Sequence, residues 1–164
     1  MTNYLLTGGG TAGHVNPLLA LADAITKSNE SDQVLALGTA EGLETRLVAE
    51  RGYELATIAK LPFPRRLNAY AFKFPARFAA AVAQTRLLLK QRKIDVVVGF
   101  GGYASAPAYL AARKLGVPIV VHEANALPGW ANKLGHRFAA ATGIAFEQTP
   151  LKGATYVGMP LRKE

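Results

Sequence analysis

Residues 4–27 read YLLTGGGTAGHVNPLLALADAITK, and the reading of this stretch decides the fold. The apolar run 4–7 has the length of a short buried strand and stops at Gly8-Gly9-Gly10, where missing Cβ atoms let the backbone turn tightly. Residues 17–27 then place apolar side chains at helical spacing. Pro17 suits a first helical turn, whose N–H groups have no intrahelical acceptor. Strand, glycine turn and helix in that order open a βα unit.

The alternation continues outward from this unit. Strands are predicted at 33–38, 54–58, 95–99, 118–122, 142–145 and 155–157, and helices at 42–51, 75–93, 105–115 and 130–138. Several strands, such as DVVVG and PIVVH, are continuously apolar, as strands covered on both faces must be. The expected fold class is therefore α/β, a Rossmann-like doubly wound parallel sheet, with ligands bound beyond the carboxyl ends of its strands. The 164 residues suffice for one well-buried domain, placed at 1–157, with 158–164 read as its exit. A chain without cysteine has no disulfide, thiolate metal site or cysteine nucleophile. Residues 1–7 are too short for a signal peptide and no run of about 18 apolar residues exists, so the expectation is a soluble, cytoplasmic protein.

Three unusual loops fall at the carboxyl edge. In the first, Gly8, Gly10 and Gly13 satisfy G-x-G-x-x-G. A dinucleotide site would add an acid at the end of the second strand, yet that strand ends Leu37-Gly38-Thr39 and Glu41 lies beyond the turn. A phosphate-binding Walker loop would place lysine after the last glycine, where His14 stands. His14 is either a capping or packing histidine or a proton acceptor beside an anion-binding turn. The second loop, GFGGYASAP at 99–107, makes another backbone nest for phosphate or sugar oxygens. In it, Ser105 can cap a helix, and Tyr103 can stack on a ligand or fill space. The third, His122-Glu123-Ala124-Asn125, offers a carboxylate to a hydroxyl or to His122 and an amide to a sugar, or forms a local turn network. His14, His122 and Glu123 lack a recognised metal-ligand spacing, and no metal or other cofactor is expected.

The net charge of +8 is concentrated: residues 55–94 hold nine basic and no acidic side chains. Residues 61–78, LPFPRRLNAYAFKFPARF, interleave aromatics with cations, and three prolines suggest a loop ahead of the long helix. Such a segment can bind single-stranded nucleic acid, lie on an anionic membrane, or lend its rings to the core and its cations to water.

GGGTAGHVNPLLALA, VVVGFGGYASAPAYLAARKLGVPIVVHEANALPGWANK and VGMPLR, in this order, resemble the signature segments of the MurG-type N-acetylglucosaminyltransferases, glycosyltransferase family 28, along essentially the whole chain. The resemblance implies the N-terminal half of a two-domain, inverting, metal-independent GT-B enzyme of peptidoglycan synthesis. Such an enzyme moves N-acetylglucosamine from UDP-N-acetylglucosamine to the 4-hydroxyl of a lipid-linked muramoyl-pentapeptide. It does so as a peripheral protein on the cytoplasmic face of the bacterial plasma membrane. The C-terminal donor-binding domain is expected to be absent here, leaving the isolated chain with little turnover.

Carried over by position, His14 is the candidate general base. Thr11, Ala12, Gly13, Asn125 and Arg162 match donor contacts. Gly9, Gly10, Gly101, Gly102, Tyr103 and Ser105 surround the acceptor and its diphosphate, with Glu123 a neighbouring polar contact. Ala12 stands where many relatives have glycine and Ala124 where many have glutamine, and neither change removes a catalytic group. For the aromatic, basic segment the resemblance favours a membrane, through Phe63, Arg65, Arg66, Tyr70, Phe72, Lys73, Phe74 and Arg77, with Trp130 beside them. The expected partners are the lipid-linked acceptor, UDP-N-acetylglucosamine with the second domain, and an anionic membrane surface, with no nucleic acid. The alternatives are a non-catalytic membrane- or nucleic-acid-binding module, or one subunit of a split glycosyltransferase.

Overall fold

Strands β1 (Asn3–Thr7), β2 (Gln33–Thr39), β3 (Glu54–Ile58), β4 (Val96–Gly99), β5 (Ile119–Glu123), β6 (Ala141–Ile144) and β7 (Thr155–Tyr156) form one parallel sheet. Their order is β3-β2-β1-β4-β5-β6-β7. This is the doubly wound α/β architecture expected from the sequence. The computed structural model describes residues 1–161, so Arg162, an expected donor contact, lies outside the described residues. Helices α1 (Ala12–Ser28), α2 (Glu44–Glu50), α3 (Ala69–Gln91), α4 (Ser105–Leu115) and α5 (Trp130–His136) cover the sheet.

Alternation along each strand explains why both faces are buried. Leu5, Leu35, Leu37, Val97, Ile119 and Val121 point into the core shared with α3 and α4. Their neighbours Leu6, Ala36 and Val98 point the other way, against Val15, Leu18 and Leu19 of α1 and Val48 of α2. The strand order reverses between β1 and β4. There Thr7 lies beside Gly99 and Phe100 N donates to Thr7 O at 2.8 Å. The loops leaving these two strands therefore part at the crevice where folds of this kind bind ligands.

The helix expected from 42 begins at Glu44, and two other helices begin well before the sequence reading places them. The first helix begins at Ala12 rather than Pro17, so Gly13 and His14 belong to its first turn and Pro17 lies inside it. The long helix begins at Ala69 rather than Pro75, taking in much of the presumed loop. Asn68 caps it, its Oδ1 accepting from Ala71 N at 3.0 Å. Pro75 leaves one rung of the ladder without a donor. Around it, Tyr70, Phe74 and Phe78 lie at four-residue spacing, and Phe74 and Phe78 pack against the core. Among the described residues no helix is long and apolar enough to cross a membrane.

Leu37, on β2 between β3 and β1, has no exposed surface. Leu37→Ala is expected to destabilise the chain by about 2–5 kcal/mol, read as a lower midpoint at unchanged slope in urea unfolding.

Candidate functional site

The first glycine loop is built around a carboxylate. Glu44, in the first turn of α2, is 1% exposed. Its Oε1 accepts from Thr39 N at 2.8 Å and Thr39 Oγ1 at 3.0 Å, and its Oε2 accepts from Gly10 N at 3.0 Å. Burial pushes its pKa up, but the hydrogen bonds from Gly10 and Thr39 outweigh burial and hold it below the ordinary value. Room for the carboxylate comes from glycines: a Cβ at Gly9 would lie 2.3 Å from Oε1, and one at Gly42 would lie 1.9 Å from Oε2. Sequence reasoning looked for an acid at the strand end as a ribose ligand and passed over this one. The signal for it was the glycine trio Gly9, Gly38 and Gly42.

His14 stands at the start of α1, partly exposed. Its Nδ1 lies 3.0 Å from Gly9 O and 3.3 Å from Thr11 Oγ1. A carbonyl can only accept, so Nδ1 carries the proton of the neutral ring and Nε2 keeps a lone pair. That nitrogen faces the second loop, 3.1 Å from where a Cβ on Gly101 would sit. Gly101 and Gly102 have φ of +98° and +90°, angles that favour glycine. A Cβ on Gly102 would meet Gly9 O at 2.6 Å, so the first two loops touch backbone to backbone. Thr11, Ala12 and Gly13 are exposed at the N-terminus of α1, where helix N–H groups attract anions.

The third loop is also organised by a carboxylate. Glu123 has no exposed surface; Oε1 accepts from Asn125 N and Nδ2, and Oε2 from Gly129 N and Asn132 Nδ2, at 2.8–3.2 Å. It therefore shapes the wall of the site and has no acceptor left for a ligand. It does not pair with His122, because successive strand residues face opposite sides. His122 Nε2 instead lies 2.9 Å from Gly158 O. Asn132, passed over in the sequence, joins Glu123 to Tyr109, whose buried hydroxyl donates to Asn132 Oδ1 at 2.7 Å. Burial raises the pKa of that hydroxyl far beyond its ordinary value. Ser105 is buried too, and its hydroxyl donates to Gly101 O at 2.8 Å rather than capping α4.

His14, Gly101, Gly102, Tyr103, Trp130 and Asn132 line a cavity of about 190 Å³. Across Tyr103 and Trp130 it adjoins a cleft of about 660 Å³ walled by Pro62, Phe63 and Arg65. Lys60 lies over the Tyr103 ring at 5.6 Å. Beyond the cleft, Phe63 packs on Trp130 and Phe74, each at 5.7 Å between ring centres. The segment expected to meet a membrane divides in two. Tyr70 and Phe74 are partly buried, Tyr70 donating to Pro62 O at 2.6 Å. Phe63, Leu67 and Phe72 are exposed by 58%, 93% and 81% among Arg65, Arg66, Lys73 and Arg77. Among the described residues, no three His, Asp or Glu side chains gather closely enough to hold a metal.

Residues 4–144 match the glycosyltransferase family 28 N-terminal domain. The whole chain is 64% identical to a UDP-N-acetylglucosamine--N-acetylmuramyl-(pentapeptide) pyrophosphoryl-undecaprenol N-acetylglucosamine transferase of Clavibacter michiganensis subsp. michiganensis, covering 45% of it. It is 52% identical over 98% of its length to the transferase of the same name from Streptomyces coelicolor, covering 44% of that protein. The crystal structure of Acinetobacter baumannii MurG superposes with a TM-score of 0.84 at 32% identity, over 99% of this chain and 47% of that one. The chain thus spans about half the length of the curated relatives it matches.

Because the folded-state pKa of Glu44 is depressed, its contribution to stability is complete above the ordinary value of 4.5 and is lost as pH falls through the lower folded value. Urea unfolding across that acid range is expected to show a shallower fall of stability with pH for Glu44→Gln than for the unchanged chain.

Proposed function

The chain belongs to glycosyltransferase family 28, whose N-terminal domain it carries, and from this premise we propose that it is the acceptor- and membrane-binding part of an inverting N-acetylglucosaminyltransferase of peptidoglycan synthesis. The reading rests on one observation: a histidine whose Nδ1 is held by Gly9 O and whose Nε2 faces the cavity at the strand-order switch. In the reaction, the 4-hydroxyl oxygen of the muramoyl acceptor bonds to the anomeric carbon of UDP-N-acetylglucosamine. The bond from that carbon to the diphosphate oxygen breaks from the opposite side, UDP departs, and Nε2 takes the hydroxyl proton. The product is β-1,4 linked with inversion.

The free N–H groups of Thr11, Ala12 and Gly13, together with Asn125, face the donor; a second domain, reached through the segment after residue 157, holds most of the nucleotide. Gly10, Gly101, Gly102 and Tyr103 contact the acceptor directly. Gly9, Ser105 and Glu123, being buried, act by holding the loops in place. The cleft between Lys60 and Arg65 suits the acceptor's diphosphate, and the aromatic shelf beyond it suits the polyprenyl chain. The His14 cavity, the cationic cleft and the apolar shelf thus follow in the order of the groups in a lipid-linked sugar. Exposed Phe63, Leu67 and Phe72 among cations then dock the protein on the anionic cytoplasmic face of the plasma membrane.

In the transferase assembled with its donor-binding domain, His14→Ala is expected to lower kcat by about 10²–10⁴-fold; an unchanged kcat would remove His14 from the role of base. Leu67→Ser with Phe72→Ser, or Arg65→Glu with Arg66→Glu, should abolish cosedimentation with vesicles containing anionic lipid while leaving thermal unfolding unchanged. Oligonucleotide binding as tight as vesicle binding would instead favour a nucleic-acid surface.

A further inference from the structure

The hydrogen bonds of Glu44 and His14 meet on a single peptide group. Glu44 Oε2 accepts from Gly10 N–H at 3.0 Å, and the carbonyl of that same peptide unit, Gly9 O, receives His14 Nδ1–H at 3.0 Å. We propose that Glu44, the Gly9–Gly10 peptide and His14 form a relay, in which the carboxylate is the positioning residue that fixes the tautomer and aim of the proposed base.

A peptide unit is planar and stiff, with its N–H and C=O pointing oppositely, so a group anchoring one end sets the direction of the other. A carboxylate on the N–H also draws the amide dipole toward itself and makes the carbonyl oxygen a stronger acceptor, the cooperative effect of chained hydrogen bonds in a low dielectric. Both effects favour the proton on Nδ1, leave the Nε2 lone pair toward the cavity, and stabilise the imidazolium formed when Nε2 takes a proton. In the hydrolase triads a carboxylate does this by touching the imidazole directly. Here one peptide group lies between them.

Three features show the peptide held rather than merely touched. The first is Thr39, which fixes Oε1 by two bonds and leaves Oε2 for Gly10. Gly9 is also pressed between the Glu44 carboxylate on one side and Gly102 on the other, each so close that a Cβ would collide. Finally, among the described residues the carboxylate has no cation partner, so its charge acts on the donors it accepts from. Glutamine has the same shape but cannot substitute: whichever way its amide is turned, an N–H faces the donor of Gly10 or of Thr39.

The inference rests on His14 as base only for its catalytic consequence, and the test separates the two. In the chain labelled with ¹⁵N, at a pH at which the measured ring shifts are those of a neutral imidazole, His14 should report Nδ1–H, and the Gly10 amide should be protected from exchange. Glu44→Gln should mix the tautomers and expose the Gly10 amide. Gly42→Ala, whose Cβ would displace Oε2, should do the same with the carboxylate kept, and serves if the first variant fails to fold. With the donor-binding domain present, Glu44→Gln should lower kcat by about 10²-fold with little change in KM. An Nε2–H tautomer in the unchanged chain, or an unaltered His14 and Gly10 in a folded variant, would overturn the relay. Shifted tautomers with undiminished transfer would uphold the relay and dismiss His14 as the base.

Discussion

A carboxylate taken out of water must be given hydrogen-bond donors or a cation, because leaving it bare costs several kcal/mol. Glu44 and Glu123 are both buried, and neither belongs to any of the ion pairs of the described residues, which join Arg46 to Glu50, Arg51 to Asp23 and Arg92 to Glu54. Both are satisfied by N–H groups of the loops beside them, together with the Thr39 hydroxyl and the amides of Asn125 and Asn132. The loops therefore have little freedom to take another shape while these carboxylates keep their donors. The site at the carboxyl edge is rigid before any ligand arrives, and that is what a site of oriented backbone groups requires.

The sheet was legible because its pattern is redundant: β-branched and leucine-rich runs of four to seven residues, cut by glycine and proline, have few alternatives in a chain of this length. The two missed helix starts share a cause. Pro17 and Pro75 mark first helical turns in the sequence reading, whereas packing of Val15 and of the Phe74–Phe78 stripe extends each helix upstream of its proline. An interior proline costs about 3 kcal/mol, and burial of an apolar face, worth about 1.5–3 kcal/mol for each large side chain, offsets it.

At the candidate site, His14, the two glycine loops and the His122–Asn125 loop meet at one edge, as their place after the strands predicts. Less legible were polar side chains whose direction decides their role. Glu123 and Ser105 looked like ligand contacts and point into the protein, while Glu44 and Asn132 carry the hydrogen bonds that set the loops. Spacing along a strand tells which face a side chain takes, as it does for His122 and Glu123, but not how many donors wait there. The glycines did carry that information, since Gly9, Gly38 and Gly42 surround one point in space that three unrelated sequence positions do not reveal as shared.

The two departures from the family's pattern fit the same account. Ala12 is the first residue of α1 and exposed, so a methyl group there points to solvent and leaves its N–H as available as a glycine's. Ala124 is buried and adds packing beside Glu123. A site built from backbone amides and anchored carboxylates tolerates such exchanges as long as the backbone angles persist. Its sensitive points are instead Gly9, Gly42 and Gly102, whose substitution moves the backbone or the carboxylate behind it. On the proposed reading, proton transfer falls to His14, and the Glu44 carboxylate acts through the Gly9–Gly10 peptide to fix where that ring points.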